Sequence, residues 1–448
     1  MRSNYRIVSL VSLLLAGLAA ASLCLIAWAT PVSPPSSISS VGQLDALALD
    51  ALRGDPVAGN RLRDFGQAGV DALFRVQPEA PFAGDDAAAQ RWQRTLDRVC
   101  AQHQCRYSRL FWHTDFSAAV AEAENTGRPI LSLRLLGGLD EDRSCANSRF
   151  FRKILYSDPA VAAEMRQRFV LHWSSERPVP KLSIDFGDGR RIEGTITGNS
   201  VHYVLDPRGR LVDALPGLYG PVLFRERIVA LAEVARELGH AETAAFLTAR
   251  GEHHQKHLSL VPFPVEVDAF DTAASSVAEL EPPTALQAAP RATAKMVTEI
   301  PVVQALDVAG RIGRRVEMRW GPMASERRAD WRLSPISREL LLRAHSDYLR
   351  AVGGFDELDE GLMAGRALER FERTIGIDTL RNEYELRPRI HFYLAELTDP
   401  ATDAEPGIER FNRWVYDELF LTPASDPWLG LWSPTVIAAL APVESTPE

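Results

Sequence analysis

The stretch GRPILSLRLLGG, residues 127–138, decides the reading of the fold. Gly127 ends a helical pattern, Pro129 forbids its return, and Ile130 to Leu136 is an apolar β run closed by two glycines. On its N-terminal side, Thr114 or Asp115 caps a helix carrying Phe116, Val120 and Ala123. On its C-terminal side, Ser144 is placed to cap a helix beginning at Cys145. Asp158-Pro159 then pairs an N-cap with a proline at the first helical position, opening a helix through Val161 and Met165. Phe169 to Trp173 is a second strand. The segment KLSIDFGDGRRIEGTI (181–196) alternates about Gly187-Asp188-Gly189 as a hairpin. Val201 to Leu205, a turn at Asp206-Pro207-Arg208-Gly209 and Leu211 to Leu215 give two more strands, and Pro221 opens a long helix ending at Gly239. The order is α/β with a mixed sheet and flanking helices.

Four motifs stand in sequence within residues 107–239: GRPILSLRLLG, CANS, DPAVAAEMRQRFV and NSVHYVLDPRGRLVDALPG. Together they resemble a thioredoxin-like domain. The resemblance implies that Cys145 holds the place of the attacking thiol of a CxxC tetrapeptide, with Ser148 where the resolving cysteine would be, a CxxS variant. It further implies that Ser200 stands in the slot usually taken by a cis-proline. A cis bond before serine costs about 2.5–4 kcal/mol, so a trans bond is expected, with Asn199 and Ser200 supplying polar groups beside Cys145.

A thiol at a helix N-terminus meets unpaired N–H groups and the positive end of the dipole, both of which favour the thiolate. Three readings of Cys145 follow. It acts as a monothiol centre that exchanges or traps partner disulfides, with Cys100 or Cys105 as resolving thiol. It is a structural residue, buried or bridged to Cys105. Or it joins His172 and His202 as a metal ligand, although mid-strand histidines are ordinarily core or face residues. Arg143, Arg149 and Arg152 either acidify Cys145 or form a solvated helix flank, and the flank is favoured.

The remaining cysteines are read from compartment. Arg2 and Arg6 precede an uncharged run from Ile7 to Ala29, 23 residues, long enough to span a bilayer. Residues 1–29 are therefore expected to be a signal anchor, or a signal peptide cleaved near Ala27-Trp28-Ala29, and Pro31 to Ser40 lies in a polar stalk over 30–40. Leu23 before Cys24 argues against a lipobox. The rest of the chain is expected outside the cytoplasm, in the periplasm or its equivalent, where disulfides persist. Cys100 and Cys105, in VCAQHQCRY, are the favoured local disulfide. His103 between them lacks the further ligands a zinc site needs.

The outer regions complete a chain of 448 residues with 46% hydrophobic content, which suffices for several packed units and excludes wholesale disorder. Residues 41–106 read as a lead-in of about three helices. A helical extension over 240–258 ends in His253, His254 and His257; His253 and His257 share a helix face, read as solvated in the absence of an acidic partner. Residues 259–303 are a Pro/Ala-rich linker. Residues 304–448 form a mostly α-helical C-terminal domain in which Tyr384, His391, Tyr393, Trp414, Tyr416 and Phe420 read as core. No phosphate loop, nucleophile elbow or HExxH motif is present, so no cofactor and no metal is assigned. A net charge of −9 argues against nucleic acid. The expected partner is a protein of the cell envelope, with the inner membrane engaged through the N-terminal helix. Two functions are carried forward: thiol–disulfide exchange or partner capture at Cys145, and a non-catalytic thioredoxin-fold scaffold.

Overall fold

Ser40 begins the part of the chain that a computed structural model describes, namely residues 40–77, 87–189, 191–195, 198–260, 319–352, 357–396 and 407–426. The lead-in consists of four helices, not three: α1 (Val41–Leu52), α2 (Pro56–Asp64), α3 (Gln67–Val76) and α4 (Ala87–Cys100). The extra helix arises because Gly66, at φ 58°, parts α2 from α3; the break before α2 follows the local signal Gly54-Asp55-Pro56, where Asp55 accepts from the Val57 and Ala58 amides with Pro56 at the first position. Gly69 lets α3 pass close to α2, since a Cβ there would lie 2.1 Å from the Leu62 carbonyl oxygen. Leu62, Val70, Leu73, Trp92, Leu96 and Val99 make a core of their own, beside the Cys100–Cys105 disulfide expected from sequence.

The sheet follows. Helix α5 (Phe116–Thr126) is capped by Asp115, whose carboxylate accepts from the Ala118 amide, and stops at Gly127 in the left-handed conformation. Strand β1 (Ile130–Leu136) leads to α6 (Ala146–Phe150), which widens into a π turn at Phe151–Leu155. Helix α7 (Pro159–Arg168) and strand β2 (Val170–Arg177) come next, then a separate antiparallel hairpin of β3 (Lys181–Asp185) and β4 (Arg191–Thr195). Strands β5 (Ser200–Leu205) and β6 (Leu211–Pro216) and helix α8 (Pro221–Gly239) complete the unit. The four-stranded sheet runs β2-β1-β5-β6, with β1 parallel to β2 and the other pairs antiparallel, a mixed sheet as expected. Every residue of β5 and β6 is buried. Such strands read as apolar runs because both faces are covered.

The cover comes from α8 and from the C-terminal region, which is helical as expected. Helix α9 (Thr243–Leu260) is followed by a helical segment over 319–326, a 3-10 turn at Arg328–Trp331, α10 (Pro335–Val352) and α11 (Glu357–Arg381). A π turn at Asn382–Leu386 carries α11 into α12 (Arg387–Glu396), and α13 (Gly407–Trp414) ends in another at Val415–Leu419. Ile375, Leu386, Ile390, Phe411, Val415 and Leu419 share one continuous core with Leu131 and Leu133 of β1. The aromatic residues read as core behave so: Tyr416 and Phe420 are buried, and Tyr384 stacks on Trp320.

The expected membrane-spanning helix is corrected: among the described residues no helix is long and apolar enough to cross a membrane. The longest, α11, has 25 residues but carries ionisable side chains through its length, which a hydrocarbon core penalises. The run Ile7–Ala29 and the stalk before Ser40 lie outside the described residues, as does the expected linker from residue 261 onward.

Candidate functional site

Cys145 is itself the N-cap of α6, in place of the Ser144 expected from sequence. Its backbone is extended, with φ −63° and ψ 165°, and its Sγ accepts from the Ser148 amide at 3.4 Å. Sulfur thus fills the role a cap oxygen ordinarily takes. The side chain is fully buried. Burial pushes the thiol up from its ordinary value, outweighing the Ser148 and Asn147 amides and the positive charges of Arg149 and Arg152. The helix N-terminus is therefore present but does not prevail, because the thiol is cut off from water.

The tetrapeptide is closed by its own hydrogen bonds. Ser148 Oγ donates to the Gly138 carbonyl at 3.3 Å, and Asn147 Nδ2 donates to Ser200 Oγ at 2.7 Å. Ser200 Oγ is thus engaged by Asn147, in the turn that Cys145 opens. Every peptide bond among the described residues is trans, and the Ser200 carbonyl accepts from the Gly217 amide within the sheet. Asn199 Nδ2 donates to Thr422 Oγ1 at 2.9 Å, while Arg177 donates to the Thr422 and Asp426 carbonyls. The C-terminal segment is pinned over this end of the sheet.

Cys100 and Cys105 are bonded to each other, so neither is available as a resolving thiol for Cys145. The metal set of Cys145, His172 and His202 does not assemble. Ser132 pairs with His172 and Leu133 with His202, and since adjacent residues of a strand point to opposite faces, so do the two histidines. His172 bonds Ser132 Oγ at 2.7 Å and His202 bonds the Tyr156 hydroxyl at 2.6 Å. Burial pushes them down to about 4 and about 3, respectively.

The solvated arginine flank is also corrected. Only Arg143 is exposed, in an ion pair with Glu193. Arg149 reaches the Ser144 carbonyl and Thr195 Oγ1. Arg152 is buried, donating to the Ser148 and Asp142 carbonyls, and burial lowers it to about 10. A long aliphatic stem lets such a residue line a core while carbonyls receive its head.

Sequence reasoning passed over a second constellation. Asp213, fully buried in β6, meets the Arg387 guanidinium at 2.7 Å, and Arg387 also meets Glu383 at 3.2 Å. Burial works to raise Asp213, but Arg387 and the neighbouring His391 and His254 hold it well below the usual carboxylate range. His253 and His257 are not on a solvated face: both are half-buried, and His257 stacks on His391 of α12 with ring centres 5.3 Å apart. Ligand atoms of Asp213, His254 and His391 lie within 4.8 Å of one another. The signal for this node was a carboxylate inside LVDALP, an otherwise apolar strand, since buried Asp is rare unless paired. Comparison with protein-family models, with curated proteins and with solved structures gives no match.

Proposed function

We propose that the chain is a scaffold or interaction protein built on a thioredoxin-like unit over residues 107–239, in which Cys145 is a structural thiol rather than an exchange centre. What supports the thioredoxin-like reading is the order of elements, with Cys145 opening the helix after β1 and a mixed sheet of order β2-β1-β5-β6. One observation carries the non-catalytic reading: the Cys145 thiol is fully buried and its pKa is raised. Exchange requires a thiolate in line with a disulfide, and a desolvated neutral thiol provides neither access nor charge. The Asn199–Thr422 and Arg177 contacts add to this by occupying the adjacent end of the sheet. The partner we infer is a protein, met in an oxidising compartment, for which the Cys100–Cys105 bridge is the support.

Peptide-resolved alkylation of the folded chain tests this directly. Cys145 is expected to stay unmodified by iodoacetamide until the protein is unfolded in urea. Modification of the folded chain at the rate of a free thiol, or a partner trapped through Cys145 on a non-reducing gel, would restore the exchange reading.

A further inference from the structure

The histidines of α9 meet the sheet and α12 at one buried point. His254 Nε2 lies 2.8 Å from the Val212 carbonyl oxygen, which only accepts, so the ring proton is on Nε2. His254 Nδ1 is then a bare lone pair, and it faces His391 Nδ1 at 2.6 Å. Asp213, the residue after Val212, brings its carboxylate to the same point. Its Oδ1 accepts from the Ala214 amide and its Oδ2 from Arg387, which fixes its orientation while leaving each oxygen a further lone pair.

We propose that Asp213, His254 and His391 bind a divalent transition-metal ion of the zinc type, tying strand β6 to helices α9 and α12. Two imidazoles and one carboxylate are a donor set this class of ion takes, with a fourth position left for water or a further ligand. The Val212 carbonyl is the outer partner that a ligating imidazole ordinarily has, holding the Nε2–H tautomer so that Nδ1 points inward. Burial keeps both imidazoles neutral, the form that ligates, with His254 lowered to about 4 and His391 to about 3. Glu383 is shared between Arg387 and Arg227, the latter at 2.7 Å, so Asp213 is not the only carboxylate that Arg387 serves. Metal bonds of about 2.0–2.1 Å at tetrahedral angles put ligand nitrogens about 3.3 Å apart, so the rings separate by less than 1 Å when the ion replaces their hydrogen bond. The His391 proton moves from Nδ1 to Nε2 in that exchange, and both rings stay neutral.

This site is independent of the reading of Cys145. The full chain, stripped with a chelator and reloaded with Zn2+ alone, is expected to retain one equivalent after gel filtration, measured by elemental analysis. His254→Gln and His391→Gln should each lose it, while His253→Gln should keep it. Should the first two fail to fold, X-ray absorption of the zinc-loaded unmodified chain decides: two imidazoles and no sulfur in the first shell are expected. No retained zinc, retention undiminished in folded His254→Gln and His391→Gln, or a sulfur ligand would overturn the assignment.

Discussion

At the Cys145 turn and at Asp213 the fold buries an ionisable side chain completely, and the outcomes are opposite. The Cys145 thiol meets two backbone amides and two arginines whose own hydrogen bonds go largely to carbonyls, and it is driven toward its neutral form. The Asp213 carboxylate meets a guanidinium at 2.7 Å and is held charged. Burial costs a charge several kcal/mol, and diffuse positive potential from groups engaged elsewhere does not return it. A direct, fully buried counter-ion does. The difference decides chemistry: a neutral thiol is inert, while a charged carboxylate beside neutral imidazoles is a ligand set.

The largest effect is expected where that pairing is broken. Arg387→Met leaves Asp213 buried without its counter-ion, while Glu383 keeps Arg227 at 2.7 Å, and urea unfolding should register a loss of about 3–5 kcal/mol. Adding Asp213→Asn in the same chain should recover part of that loss, because it removes one stranded charge. A single variant that costs under about 1 kcal/mol would mean that the pair does not hold the charge.

A smaller effect extends the comparison to His202, which has no counter-ion and is lowered to about 3 by burial alone. In the unfolded chain its pKa is about 6.5, so between these values the unfolded state binds a proton that the folded state refuses. Its contribution is complete above about pH 6.5 and is lost as the pH falls toward the folded value, reaching about 2 kcal/mol by pH 5. Unfolding free energies of the unmodified chain and His202→Phe, compared at pH 7 and pH 5, should show the variant losing less by that amount. Parallel losses in both chains would assign the acid sensitivity to other groups.

These outcomes bear on what the sequence made legible. The sheet was readable because GRPILSLRLLGG combines a helix stop, a proline and an apolar run bounded by glycines, and each is a local signal. The disulfide was readable because its cysteines are five residues apart in an odd set. Cys145 was located at the right turn, yet the core that buries it also holds Phe411, Val415 and Leu419, more than 250 residues later. No local pattern carries that distance. The same holds for the histidines of α9, whose solvated reading failed because His391 closes over them from α12. Asp213 carried a local signal, a charge in an apolar strand, that was passed over, and its partner Arg387 stands 174 residues away, where no local pattern reaches.

The smallest effect separates the two roles Cys145 can have. Its sulfur accepts from the Ser148 amide at 3.4 Å, so as a structural residue it caps α6 and fills core volume. Cys145→Ala removes both and should cost about 1–2 kcal/mol in thermal or urea unfolding. Cys145→Ser keeps a cap acceptor, of the type helices prefer, and loses only part of the apolar fill, so it should lie within about 1 kcal/mol of the unmodified chain. The order, serine above alanine, is specific to capping, because a nucleophile is lost equally in both. Partner capture from the native source should survive each substitution, and its loss in the well-folded serine variant would show that the sulfur itself is the working atom.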